Sequence, residues 1–423
     1  MLKPQSFLLL AALLSSVPAS VAVEAIATAS AEDELVRETR RALKRAPSIN
    51  LSEVVAQPDA VNGAAAQPQL ATDSDPLGGS PLLMLDSIVQ PGTATRLSWS
   101  PGETFSGIAV PTPVLVVNGA QPGPTLCLTA AVHGDELNGI EIVRRILYET
   151  DPKTLNGALV GVPIVNLQGF HRGSRYLADR RDLNRYFPGN PNGSAASRIA
   201  YSLFNEVILH CNVLVDLHTG SFHRTNITQM RADLTDPRVL ELSHGFGDLM
   251  ILHHRGGKGT LRNAAARHGV PAVTLEAGQP MRLEPEHVEL GVRSLRNVMV
   301  YLGMIKKFRL WTTSEPVYYK SRWVRASAGG ILMSKVKPGD PVSVGTVLGT
   351  ITDPITNAQV TVVSPTKGRV LGLALNQVVM PGFATHHLGI EATQDEVTQP
   401  LPALKNGNGE EIDTEQDTML DDA

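Results

Sequence analysis

The chain has no excess of positive charge. Its 37 lysines and arginines stand against 41 aspartates and glutamates, a formal charge of −4, which gives no electrostatic footing to a nucleic-acid partner. After the opening residues no run is long and apolar enough to span a bilayer, so the protein is not read as membrane-spanning. Cysteine is scarce, with Cys127 and Cys211 alone in the chain. Neither follows the small residues near Ala22, so lipid attachment there is not indicated. Cys127 sits inside an apolar run and Cys211 just before another. Two cysteines in an exported protein invite a bond, but the expectation here is two small buried thiols, since free cysteine packs as a compact apolar residue.

What remains is ordinary globular material. At 42% hydrophobic and 18% charged, the chain can fill one or two cores, and 423 residues suggest two domains plus extras. Residues 1–22 carry a lysine near the start, the apolar run Phe7 to Leu14, and Ser20 and Ala22 placed like a cleavage site. This reads as a secretory signal, and the expected location is the periplasm or beyond. Residues 23–80, rich in Ala, Ser, Pro, Gln and Asp, read as a flexible leader. Residues 81–305 read as the main α/β domain, opening with two strands, Leu82 to Ser98 and Gly107 to Val117. Strand candidates at Thr125 to Val132, Ala158 to Val165, Val213 to Leu217 and Val270 to Leu275 then alternate with helices at Gly139 to Tyr148, Ala195 to Leu209, Arg238 to Phe246, Leu261 to His268 and Pro285 to Leu302. Such alternation predicts a mainly parallel or mixed sheet covered by helices.

The texture changes over residues 306–395 to valine, glycine and turn residues. The stretch Val336 to Gly349, followed by Ser364 to Val370, resembles the biotinyl/lipoyl-like β-barrel. Carrier domains of that kind modify a lysine on the hairpin between these halves, and Thr352 to Asn357 contains none. A packing or site-shaping module is therefore expected. Residues 396–423 end in an acid-rich stretch read as a disordered tail.

Chemistry concentrates where apolar strands end. Ala130-Ala131-Val132-His133-Gly134-Asp135-Glu136 passes from buried strand to the helical spacing Ile140, Val143, Ile146, Leu147, so His133 and Glu136 lie on a strand-to-helix connection, where α/β sheets carry their sites. An imidazole and a carboxylate three residues apart on a turn can address one Zn²⁺. The bland alternative is a solvated loop with a helix-starting acid. Val213 to Leu217 is a second apolar strand ending in a histidine, and His218 is the natural third ligand. Asp216 can support that site from behind, or serve as a cap or salt bridge. A third strand of this design ends at Glu276, a candidate general base, with a plain surface acid as its alternative. The loop Gly173 to Gly189 holds Arg175, Arg180, Arg181, Asp182, Asn184 and Arg185, and its guanidinium forks suit an acidic substrate.

In this order, His133-Gly134-Asp135-Glu136, Asp182-Leu183-Asn184-Arg185, Asp216-Leu217-His218-Thr219-Gly220 and Leu275-Glu276-Ala277-Gly278 resemble the succinylglutamate desuccinylase/aspartoacylase family, a branch of the zinc carboxypeptidase-like metallohydrolases. The resemblance spans roughly residues 85 to 390. It implies one Zn²⁺ per chain held by His133, Glu136 and His218, with Glu276 as catalytic acid/base. It further implies Arg175 as the arginine that polarises the acyl carbonyl, and Asn184 with Arg185 as the clamp on a substrate carboxylate. Arg180 and Arg181 compete with Arg175 for that role. A late substrate-contacting tyrosine is also implied, for which Tyr318 and Tyr319 are candidates, and Arg224 and Arg231 are candidates for a side-chain pocket. The implied reaction is hydrolysis of an N-acyl amino acid. A carboxypeptidase acting on cell-envelope peptides and a non-catalytic binding protein are the competing readings, and retention of all three ligands and Glu276 argues against the last.

Overall fold

The structure, a computed structural model, describes residues 79–101, 103–105, 108–221, 223–306 and 317–391. The expected signal at 1–22, nearly all of the leader and the tail at 396–423 lie outside these residues.

One long mixed sheet organises the body. Its strands, in chain order, are β1 (Thr93–Trp99), β2 (Thr112–Asn118), β3 (Gln121–Ala130), β4 (Asn156–Val162), β5 (Val213–His218), β6 (Arg224–Ala232), β7 (Met250–His253) and β8 (Ala272–Gly278). The helices are α1 (Asn138–Tyr148), α2 (Ala195–Glu206), α3 (Pro237–Ser243), α4 (Leu261–Arg267) and α5 (Pro285–Tyr301). Across the sheet the order runs β6, β8, β5, β3, β4, β2, β1, with β8, β5, β3 and β4 mutually parallel and β6 antiparallel to β8. The expected elements from Thr125 onward are present to within a few residues at their ends. The expected strand Leu82 to Ser98 is instead broken into Leu82–Met84, Ser87–Val89 and Thr93–Trp99 by turns with positive φ at Leu85, Asp86 and Gly92, and the expected strand Gly107 to Val117 into Ile108–Ala109 and Thr112–Asn118. The strands β6 and β7 were not expected.

Strand alternation divides the core into two layers. Leu126, Leu128, Val215 and Leu217 pack with Ile142, Val143 and Ile146 of α1 and Val288, Val292 and Leu295 of α5. Cys127 and Leu214 point the other way, against Ile199, Leu203 and Phe204 of α2 and Ala264 and Ala265 of α4. The central strands are therefore apolar on both faces, as a parallel sheet between helices requires. Truncating a fully buried residue such as Leu128 to alanine should cost roughly 2–5 kcal/mol.

The cysteine expectation is corrected. Cys127 and Cys211 form a disulfide with Cα atoms 5.8 Å apart. Leu214, shortly after Cys211, lies opposite Cys127 in the parallel pairing of β5 on β3, so the sheet register itself brings the two thiols together.

In the C-terminal region β9 (Lys320–Arg325), β13 (Gly368–Ala374) and β15 (Ala384–Ile390) continue the large sheet beyond β6 in the order β6, β13, β15, β9. The strands β10 (Gly330–Ser334), β11 (Val347–Thr352), β12 (Gln359–Val363) and β14 (Gln377–Val379) form a separate four-stranded sheet. Leu332, Leu348, Ile351, Val370, Leu373 and Leu388 fill a common core contributed by both sheets. The region is β-rich as expected, built from two sheets, one of which belongs to the main domain. No helix among the described residues is long and apolar enough to cross a membrane.

Candidate active site

β3 ends at Ala130, and Ala131 turns the chain with φ +47°, a left-handed conformation that costs an alanine on the order of 1 kcal/mol. The amides of Val165 and Asn166 donate to the carbonyls of Ala130 and Ala131 and hold this corner. It delivers His133 above the sheet edge. A side chain at Gly134 would place its Cβ 2.1 Å from the backbone of Gly169 and Phe170, so glycine is required for the loop to pass.

His133, Glu136 and His218 converge. Their candidate ligand atoms all lie within 4.8 Å of one another, and all three residues are buried. Nδ1 of His133 is 2.8 Å from Glu136 Oε1, and Nδ1 of His218 is 2.8 Å from Glu136 Oε2. The opposite ring nitrogens face carboxylates: His133 Nε2 lies 3.1 Å from Asp182 Oδ1, and His218 Nε2 lies 2.8 Å from Asp216 Oδ2. Thr129 Oγ donates to the other Asp216 oxygen at 2.6 Å. A ring that donates Nε2–H to a carboxylate turns its Nδ1 lone pair toward the centre, which sets the tautomer a metal ligand needs. Two imidazole nitrogens and a carboxylate oxygen, each braced from behind, fit Zn²⁺ with room for a further ligand.

The charges of the cluster are strongly coupled. Burial opposes charge on Glu136, but His133 and His218 outweigh it and hold the carboxyl below its ordinary range. Asp182 is likewise depressed, with His133 and Arg175 overcoming its burial. Burial works against protonation of His218, yet Asp216 and Glu136 raise its pKa well above the usual histidine value.

Arg175 is buried beside this cluster. Its Nη2 donates to Asp182 Oδ2 at 2.8 Å, and its Nη1 lies 3.2 Å from His133 Nδ1 and 3.6 Å from Glu136 Oε1. Arg180 is exposed, and Arg181 pairs with Asp179 at the surface. Glu276 stands opposite His218 in the parallel pairing of β8 with β5. Its Oε2 accepts from Asn226 Nδ2 at 3.0 Å, and its Oε1 is 3.6 Å from Arg231 Nε. Glu276 and His218 line one cavity with Asn184, Thr260, Arg262 and Thr274. Asn184 Oδ1 accepts from the Leu261 amide at 2.8 Å, so the loop is fastened to the start of α4. Arg185 is half-buried near Asp182, its Nη2 4.0 Å from the carboxylate and its Nη1 donating to the Asn184 carbonyl at 3.0 Å.

Other candidates lie elsewhere. Tyr318 packs among Met250, Leu252 and Leu371. Tyr319 is partly buried against the main core, its ring 6.4 Å from that of His253. The Arg224 guanidinium lies over Trp323 and Phe383. Sequence reasoning missed Arg262, which reads there as an ordinary residue in the first turn of a helix. Its Nη1 donates to the His254 carbonyl at 2.6 Å, and its position on the cavity depends on the fold of the preceding loop. Thr260, the N-cap of α4, was the available signal.

A buried His-Glu-His centre at the ends of parallel strands, with a carboxylate opposite one histidine, defines a candidate metal-dependent hydrolase site. The family description Succinylglutamate desuccinylase/Aspartoacylase catalytic domain matches residues 122–302, which include His133, Glu136, Arg175, Asn184, Arg185, His218 and Glu276. Over those residues, which are less than half of its length, the chain resembles the catalytic domain of this family. It is 29% identical over 258 residues to the N-alpha-acetyl-L-2,4-diaminobutyric acid deacetylase of Halomonas elongata, covering 58% of this chain and 75% of that protein. Among solved structures, a succinylglutamate desuccinylase/aspartoacylase of Rhodobacter sphaeroides is 25% identical with a TM-score of 0.63, covering 71% of this chain and 95% of the other. The product-bound ectoine utilization protein of Ruegeria pomeroyi shares the fold at 24% identity and a TM-score of 0.64, covering 74% and 98%.

Proposed function

We propose that the protein is a zinc-dependent deacylase that hydrolyses the amide bond of an N-acyl amino acid. The observation that carries this reading is the convergence of His133, Glu136 and His218 beside a cavity that also presents Glu276 and Asn184. When bound by the three ligands, Zn²⁺ would acidify water toward pH 7 and act as a Lewis acid on the acyl carbonyl.

The chain's own residues do the rest. Glu276 takes the proton of the attacking water and returns it to the departing amine, a role suited to a carboxylate that faces the cavity. Arg175, aimed at the ligand side of His133, stabilises negative charge as it develops on the acyl oxygen. Asn184 and Arg185 hold the amino-acid carboxylate so that the scissile bond meets Glu276. Arg262 offers a further guanidinium on the cavity wall, which suits a substrate rich in carboxylates. The same reading puts the enzyme in an exported, oxidising compartment, and the Cys127–Cys211 bond supports that placement.

The test is an assay of the purified protein against N-acyl amino acids and, separately, against peptides with free C-termini. Release of free amino acid from the first panel and none from the second is expected. Preference for the peptides would replace this reading with a carboxypeptidase, and activity on neither would remove it.

A further inference from the structure

We propose that Asn226 is a positioning residue that fixes the Glu276 carboxylate, and that the C-terminal β region holds Asn226 in place through Gly372. The proposal rests on the assignment of Glu276 as the base.

Asn226 and Arg231 both lie on β6 and both reach Glu276, one to each carboxylate oxygen. On a regular strand, residues separated by an odd number of positions face opposite sides of the sheet. The register of β6 on β8 shows how the two share a target. Gln229 lies opposite Glu276 and Arg231 opposite Thr274, but Asn226 lies opposite Gly278, so three steps on β6 match two on β8. This bulge inserts one residue and returns Asn226 to the side of Arg231. Bulges beside active sites commonly re-aim a side chain in this way. The carboxylate is thus gripped from two points of a single strand.

The far side of Asn226 meets β13. Asn226 is paired with Gly372, and a Cβ at Gly372 would lie 2.3 Å from Asn226 Oδ1. The side chain therefore stands between two fixed walls, with Nδ2 toward Glu276 and Oδ1 toward the glycine. The donor side of the amide faces the carboxylate, the orientation a carboxylate selects. Asn226 is 4% exposed, so water offers no ready substitute for this bond. Strand β13 belongs to the C-terminal region, and its glycine leaves the space that Asn226 fills. The role of that region in this enzyme is to complete the support of the base.

The experiment measures kcat and KM for Asn226→Ala, Gly372→Ala and Glu276→Gln, and for each of the first two combined with Glu276→Gln. The substrate is the best N-acyl amino acid of the wild type, with zinc content and circular dichroism recorded for every variant. Asn226→Ala and Gly372→Ala should each lower kcat about 10- to 100-fold while KM and zinc content stay near wild type, the usual consequence of a misplaced reacting group. In the Glu276→Gln background the same changes should have little further effect on kcat, because they act through the group already lost. Equal fold-losses in both backgrounds, or no loss in kcat, would overturn the proposal. If Asn226→Ala does not fold, Asn226→Leu, which keeps the branch at Cγ and removes the donor without adding charge, carries the same test. A wild-type kcat in Glu276→Gln would instead refute the assignment of the base.

Discussion

Breaking the Cys127–Cys211 bond tests whether the strands that present His133 and His218 are tied as the fold requires. The bond closes a loop between residues 84 apart in sequence. In the chain-entropy treatment a loop of that length is worth roughly 4.5 kcal/mol at 25 °C, and measured losses for native bonds fall at about 2–5 kcal/mol. Both cysteines are buried in the layer with Leu203, Phe204 and Leu214, so replacement by alanine adds a small packing loss. In a body this large each kcal/mol lowers the midpoint by about 2–4 °C, so the double variant Cys127→Ala/Cys211→Ala should melt roughly 10 °C lower. Wild type in reductant should approach the same midpoint. Zinc content should be unchanged, because the hydrogen bonds that pair β3 with β5 do not depend on the sulfurs. The assay is calorimetry with and without reductant, alongside thiol titration. A reduced wild type with two free thiols and an unshifted midpoint would refute the reasoning.

Three further outcomes follow from the site and the β region. Glu276→Gln should retain zinc and fold while kcat falls by at least about 100-fold, since the change preserves shape and removes the proton acceptor; retained kcat would show another base. Asp216→Ala should weaken zinc binding roughly 10- to 100-fold by freeing the His218 ring, read by competition with a chelator, and unaltered affinity would remove Asp216 from the support of the metal. Burial depresses His386 to about 4 and His387 well below its ordinary value, so both stay neutral in the fold while the unfolded chain binds protons from about pH 6.5. Their stability is complete above pH 6.5 and declines as pH falls toward 4, with His386 alone accounting for roughly 3 kcal/mol. His387→Phe can keep the stack on Trp323 and should lose less stability than wild type between pH 7 and 4.5; an identical slope in thermal melts would contradict this.

The parallel strands were legible because β3, β5 and β8 are buried on both faces and read as uninterrupted apolar runs, and because His133, His218 and Glu276 stand where those runs stop. The strand β6 escaped because its buried positions include Arg224, Asn226, Gln229 and Arg231, polar residues whose surroundings, such as Glu276 for Asn226 and Trp323 for Arg224, are assembled only when the sheet forms. Nothing in local sequence distinguishes such a strand from a loop. The disulfide escaped for a related reason, since its partners meet through the register of β5 on β3, a non-local property. Arg262 reads as one more arginine on a helix until the chain before it folds against His254. The ligand motif was local to turns and so visible, while the support around Glu276 came from pairing with β6 and from Gly372 of β13.

The account stands on the metal centre, and titration of the stripped protein with Zn²⁺ tests it most directly. Protein freed of metal by a chelator should lose hydrolysis of its N-acyl amino acid and regain it in proportion to added zinc, saturating at about one equivalent per chain, as three converging protein ligands imply. The variant His218→Ala should bind no stoichiometric zinc under the same conditions. Full activity in the stripped protein, or one tightly held zinc in His218→Ala, would contradict the assignment of His133, Glu136 and His218.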